Sequence, residues 1–260
     1  MPRWLEQLEA RAQQPPPDAR EALFLEGVAT AVGSIAPALA GRLRADGLPL
    51  EPRAEGWHVT GAAGAALAAI ARHLARHGLC GRWRNELLAV TDQTLTRRAS
   101  IERAAVRALG IATFAVHLIG LAPSGRIWVQ QRALDKATDP GRWDTLVGGL
   151  VAADEHDALA RETWEEAGLR TGELHALAHA ERITIRRPLP EGYMVEHADV
   201  FEAIVPDGVV PINQDGEVAR FECMTVPDLN ERLAADAFTL EAGLMLAHCL
   251  ARRGLLHASP

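Results

Sequence analysis

The run Gly148 to Leu169, GGLVAADEHDALARETWEEAGL, constrains this chain more than any other stretch. Its second half places Arg161, Glu162, Glu165 and Glu166 close together, with Glu155 a short way upstream. A helix turns ~100° per residue, so Glu162, Glu165 and Glu166 fall on one stripe roughly 100° wide. Ala160, Thr163, Trp164 and Ala167 occupy the opposite side, which is expected to pack on a sheet. Gly168 supplies a left-handed helix stop, and Leu169 leads into the next segment. Three carboxylates on one stripe repel each other unless positive charge lies between them. Arg161 can pair with Glu165 one turn on, which leaves Glu162 and Glu166 uncompensated. A hard divalent cation with oxygen ligands, Mg2+ or Mn2+, resolves that repulsion. A merely solvated acidic helix would leave the flanking glycines and the Arg-Glu start unexplained.

The rest of the chain bounds what such a site can serve. A length of 260 residues allows one large domain or two modest ones. With 27 Lys and Arg against 34 Asp and Glu, the net charge of −7 argues against a nucleic-acid-binding surface. A phosphate ligand would have to be held locally, by a metal and a few basic side chains. Cys80, Cys223 and Cys249 are odd in number and form no C-x-x-C pair, so reduced thiols and a cytoplasmic location are expected. The N-terminus, MPRWLEQLEARAQQ, is charged throughout, unlike a signal peptide. The longest apolar run, Gly61 to Ala71, is too short to span a bilayer, so no membrane partner is expected. The oligomeric state is left open, a homodimer included.

Periodicity suggests two units. In the first, over residues 1–110, helices are expected at Arg3 to Gln13, from Asp18 towards Leu25, at Pro37 to Arg44, at Ala62 to His77 and at Ile101 to Leu109. Trp57 to Thr60 and Glu86 to Val90 read as strands, giving a small α+β unit of unassigned role. His73 and His77 share helical spacing but have no acidic companion, and a metal is not expected there. In the second unit, residues 111–260, strands are expected at Phe114 to Leu121, Arg126 to Arg132, Leu174 to Arg186, Val195 to Val205 and Phe221 to Val226. Glu191, Gly192 and Tyr193 fall in a loop, Asn213 to Val218 in another, and Asp228 to Ala235 and Thr239 to Arg253 form closing helices.

The acidic stretch resembles the Nudix box, G-x5-E-x7-R-E-U-x-E-E-x-G-U, where U is a bulky aliphatic residue. The half R-E-x-x-E-E-x-G is intact from Arg161 to Gly168, and Gly149 with Glu155 matches the first half. Two departures stand out: the loop between Glu155 and Arg161 is two residues short, and Thr163 replaces an aliphatic. The resemblance implies an α/β/α sandwich with a mixed sheet for the second unit and hydrolysis of an organic diphosphate. It implies that Glu162, Glu165 and Glu166 hold Mg2+ or Mn2+, that Arg161 orients Glu165, and that Gly149 lets backbone approach the phosphates or the metal. Glu155 is expected to be a supporting residue. Glu217 stands where many such enzymes carry a further catalytic acid. Arg132 and Lys136 are candidate phosphate contacts, and Trp143 and Tyr193 candidate stacking surfaces for a planar ring.

Beyond the box, Trp83 to Glu86, Glu102 to Ala105, Trp128 to Arg132, Lys136, Trp143 to Leu146 and Gly192 to Met194 are similar to a two-domain Nudix subfamily related to proteins named after thiamine pyrophosphokinase. That likeness implies removal of a phosphate from thiamine diphosphate or its oxidised analogues. Three rivals stay open: a hydrolase of oxidised nucleoside diphosphates such as 8-oxo-dGDP, an isopentenyl diphosphate isomerase-like enzyme, and a non-catalytic Nudix binding module. Isomerisation would need a cysteine beside the diphosphate, and none of the three matches in position.

Overall fold

The backbone of the second unit alternates its side chains between two helical layers, and this alternation fixes where the site can lie. In the computed structural model, which describes residues 2–257, strand β7 (Thr113–Leu121) runs through the middle of a seven-stranded mixed sheet. The elements of the first unit precede it: α1 (Arg3–Ala12), β1 (Glu21–Leu25), β2 (Gly33–Ile35), α2 (Pro37–Ala45), β3 (Leu50–Arg53), β4 (Gly56–Val59), α3 (Ala63–Arg76), β5 (Leu87–Thr91) and β6 (Arg97–Glu102). Those of the second unit follow as β8 (Ile127–Arg132), β9 (Trp143–Asp144), β10 (Val147–Leu150), α4 (Ala158–Ala167), β11 (His175–Leu189), β12 (Gly192–Ile204), β13 (Val218–Met224), α5 (Val226–Ala234) and α6 (Leu240–Arg252). The sheet order is β11-β12-β7-β8-β13, with β10 paired to β7 and β9 to β8.

Successive side chains of a strand point to opposite faces. On one face of β7, Val116 and Leu118 pack with Ala158, Leu159 and Ala167 of α4. On the other, Ala115 and Ile119 pack with Leu5 and Leu8 of α1 and with Leu244 to Ala247 of α6. The result is the expected α/β/α sandwich, behind a smaller α+β unit. The first unit has its own four-stranded sheet, β2-β1-β4-β3, whose Leu23, Leu25, Trp57 and Val59 share a core with Leu67, Ile70 and Leu74 of α3. Leu150 packs against both cores and ties the units together. No helix among the described residues is long and apolar enough to cross a membrane.

The structure corrects several local expectations. Glu21–Leu25 is a strand, not a helix: Leu23 and Leu25 are buried in alternation, and the segment pairs with β2 and β4. Residues 97–102 likewise form a strand paired to β5, and only Arg103–Ala105 turns helically, as a single 3-10 turn. The helix expected over Ile101 to Leu109 has good local propensity, but backbone pairing with β5 takes precedence. Helix α1 precedes the first sheet in sequence yet lies on the second core, where Gln14 N–H donates to Arg186 O at 2.9 Å. Tyr193 sits within β12 just past a tight turn, because β11 and β12 pair through to Leu189 and Gly192.

Candidate active site

Asp157 begins helix α4 by accepting a hydrogen bond from Ala160 N at 3.0 Å, and Gly168 ends it with φ +64°. Between these caps two of the three carboxylates face inward, and Glu165 stays half-exposed. Glu162 and Glu166 are buried, whereas Trp164, expected on the packed side, is 46 % exposed. The helix is rotated so that its acids, not its tryptophan, meet the sheet. Burial drives the Glu166 carboxyl up to about 8; its Oε2 accepts from Gly148 N and Gln130 Nε2, both at 2.9 Å. Glu162 is pushed up to about 7 by burial, against the opposing pull of Arg161.

Arg161 is the hub. Its Nε and Nη2 hold Glu155 bidentately at 2.5 and 3.0 Å, and Nη1 lies 2.9 Å from Glu162 and 2.8 Å from Glu165. Hydrogen bonding from Arg161 lowers the Glu155 carboxyl, which also accepts from Ala152 N at 3.1 Å. The shortened loop is braced from the first unit. Ala153 N donates to Leu87 O at 2.8 Å, and Arg97 reaches Ala153 O and Asp154, each at 2.7 Å.

Gly149, in β10 opposite Val116, lies directly against the Glu162 carboxylate, where an added Cβ would come within 2.6 Å of Oε2 and closer still to Oε1. The absent side chain is what admits the carboxylate.

These groups open onto a cavity of about 770 Å3, a size suited to a small organic ligand. Glu162, Glu165, Arg161, Gly149, Arg132, Lys136 and Glu217 all line it. Lys136 is ion-paired with Glu217. Burial opposes the charge on Glu217, but Lys136, helped by Arg132 and Arg103, holds its carboxyl below the usual range. Arg132 is committed to Asp144 at 3.2 Å and to Thr138 O at 3.1 Å. Glu166 is not part of the lining and lies behind it.

Trp143 and Tyr193 do not reach the cavity. Trp143 is buried in β9, with Arg232 and Arg220 over its ring at 4.8 and 5.0 Å. Tyr193 is buried too, and its hydroxyl donates to Gln14 O at 2.9 Å. Both read as ring-stacking candidates from sequence because aromatic residues near a motif give no indication of which way they face.

Other lining residues carry no motif. His117 is buried with Nδ1 3.0 Å from Thr145 Oγ1, and burial lowers its pKa, keeping it neutral. Asp144, Arg103, Arg107, Arg187, Glu196 and Glu241 also face the cavity. One signal was available: Met194, Glu196, Ala198 and Val200 alternate along β12, which puts a carboxylate on a core-facing position.

The lining acids outnumber the lining bases, so a bound polyanion would need an added cation. Glu162, Glu165 and Glu166 provide hard oxygen donors with too little counter-charge, which fits Mg2+ or Mn2+. In their present rotamers two of them face Arg161 and the third faces Gly148, so no three acids converge as a metal cluster among the described residues. Arg161 can keep Glu155 while Glu162 and Glu165 turn to a cation.

The NUDIX domain profile matches residues 112–244. Nudix hydrolase 24, chloroplastic, of Arabidopsis thaliana is 29% identical over 74% of this chain and 54% of its own length. An isopentenyl-diphosphate Delta-isomerase of Streptomyces coelicolor is 33% identical over 44% of this chain and 58% of its own. The crystal structure of DR0079 from Deinococcus radiodurans superposes with a TM-score of 0.49 at 23% identity, covering 62% of this chain and 98% of that one. The chain spans about half the length of the curated relatives it matches.

Proposed function

From the premise that this chain belongs to the NUDIX domain family, we propose that it hydrolyses an organic diphosphate in the cavity beside α4. The observation that carries the reading is Glu162 and Glu165 held by Arg161 on the wall of a cavity that Lys136 and Arg132 also line, with the buried Glu166 directly behind. Members of the family generally use divalent metal ions. Glu162, Glu165 and Glu166 would hold Mg2+ or Mn2+, and the ion supplies Lewis-acid polarisation of a phosphoryl oxygen and an acidified water. Arg161, fixed by Glu155, orients Glu162 and Glu165. Lys136 meets phosphate oxygens as a point charge, while Glu217, kept ionised by Lys136, can take a proton from water.

The favoured substrate is thiamine diphosphate or an oxidised analogue, cut to the monophosphate and phosphate. It rests on the likeness to the two-domain subfamily related to thiamine pyrophosphokinase. An oxidised nucleoside diphosphate such as 8-oxo-dGDP is the second reading, since the cavity can accept either ring. No cysteine lines the cavity among the described residues, which favours hydrolysis over isomerisation. The test is to incubate the purified protein with Mg2+ or Mn2+ and a panel of organic diphosphates and identify products by mass. Release of phosphate from thiamine diphosphate analogues at the highest kcat/KM supports the leading reading. Faster turnover of 8-oxo-dGDP replaces it, and no turnover of any member overturns hydrolysis.

A further inference from the structure

The end of the cavity away from α4 has its own chemistry. Crossing from β10 over β7 to β12 takes two strand spacings, and Glu196 pairs with Thr113, three positions before the Val116 that faces Gly149. That offset sets Glu196 about 14 Å from Gly149 along the sheet, room for a diphosphate, a short arm and a ring. Glu196 is partly buried on the cavity wall, with Oε2 accepting from Thr113 Oγ1 at 3.1 Å and Oε1 without a hydrogen-bond partner among the described residues. Glu241, in the first turn of α6, meets Arg187 at 3.4 Å, and Arg187 Nε is buried without a hydrogen-bond partner among the described residues. Leu189 and Met194 supply apolar surface beside these groups, and Arg107 closes the end from the first unit.

An acceptor open to the cavity and a buried donor without a partner, on two residues that line it, represent unmet hydrogen-bonding capacity, which a ligand can satisfy. We infer that Glu196, Glu241 and Arg187 form a recognition subsite for a nitrogen heterocycle, with the carboxylates accepting its N–H groups and the guanidinium meeting a ring nitrogen or oxo group. The subsite rests on the diphosphate reading, because it binds the half of the substrate that is not phosphate. Its chemistry suits an aminopyrimidine or a purine alike, and would give no advantage to a prenyl chain. Raised carboxyls at Glu196, about 7, and at Glu241, both from burial, let either acid also donate to an oxo-substituted ring.

The test compares wild type with Glu196→Gln, which keeps the shape but replaces an acceptor oxygen by a donor, and with Glu241→Gln. Dissociation constants are measured by calorimetry in Ca2+ for thiamine diphosphate, 8-oxo-dGDP and isopentenyl diphosphate. Wild type is expected to prefer the two N–H-bearing ligands, and each substitution should lower that preference tenfold or more. The ligand whose preference falls furthest identifies the heterocycle. A preference that survives both substitutions, or that wild type lacks, overturns the subsite. Wild type that binds no diphosphate overturns the proposed function instead. The subsite is then decided by thiamine and 8-oxo-deoxyguanosine, which carry no phosphate. One of them must raise the melting temperature of wild type and not of Glu196→Gln, and the absence of that difference overturns it.

Discussion

Gly149→Ala separates the site from the fold. The residue lies in β10, paired with Val116 of β7, and its φ is outside the left-handed region, so alanine suits the backbone. Ordinary contact for a Cβ begins at 3.4 Å, and here Oε2 of Glu162 would be 2.6 Å away, with Cδ and Oε1 nearer. The carboxylate must therefore withdraw by ~1 Å or more, which it can do by rotating its own flexible chain into the cavity. That relaxation leaves the core intact, so stability should change by no more than about 1 kcal/mol. A misplacement of ~1 Å at a catalytic group costs roughly 10²-fold in rate. The assay pairs thermal melting with steady-state turnover of the best diphosphate across a Mg2+ titration. We expect a near-wild-type melting temperature, a kcat lowered about 100-fold and a weaker Mg2+ requirement curve. The shorter acid in Glu162→Asp already withdraws the carboxylate, so adding Gly149→Ala to it should cost little more. Turnover within threefold of wild type, or full additivity in the double variant, would refute the role given to this contact.

Other expectations follow from the same geometry. Glu166→Gln should abolish most turnover while leaving the metal-free protein as stable or more stable at pH 8, because it removes a buried charge; near-normal turnover would remove Glu166 from the metal set. Glu162 and Glu166 have folded pKa values of about 7 and about 8 against an ordinary value of 4.5. The folded state thus holds their protons more tightly, and their contribution to stability, complete below pH 4.5, is lost as pH rises to about 8. The loss is on the order of several kcal/mol. Melting of metal-free protein from pH 5 to 8.5 should trace this fall, and Mg2+ should offset it at the alkaline end with proton release; a flat profile counts against buried acids. Glu155→Ala should cost much less turnover than Glu162→Ala, because Glu155 acts only through Arg161, and equal losses would give it a direct role. Tyr193→Phe should remove about 1 kcal/mol of stability by deleting the bond to Gln14 O and leave KM unchanged; a several-fold rise in KM would return Tyr193 to the substrate site.

What the sequence determined by itself was local and periodic. The stripe of Glu162, Glu165 and Glu166, the helix stop at Gly168, and most strands of the second unit depend on residues within a turn or two of each other, so spacing alone reveals them. Helices α2, α3, α5 and α6 were legible for the same reason. Strand pairing is not local. Whether Glu21–Leu25 or residues 97–102 coil or extend depends on partners elsewhere in the chain, and propensity there pointed the wrong way. The orientation of α4 also needed the sheet: Glu162 and Glu166 turn inward because Gly149 leaves room for the first and Gly148 N donates to the second, and Trp164 is turned outward. Only the tertiary structure could bring Arg107, Arg187, Glu196 and Glu241 to one wall, since they come from four separate segments, one of them in the first unit. It also withdrew Trp143 and Tyr193 into the core. The physical reason is the same throughout: a helical stripe is set by covalent geometry, whereas a cavity is set by register between strands and by what packs over them.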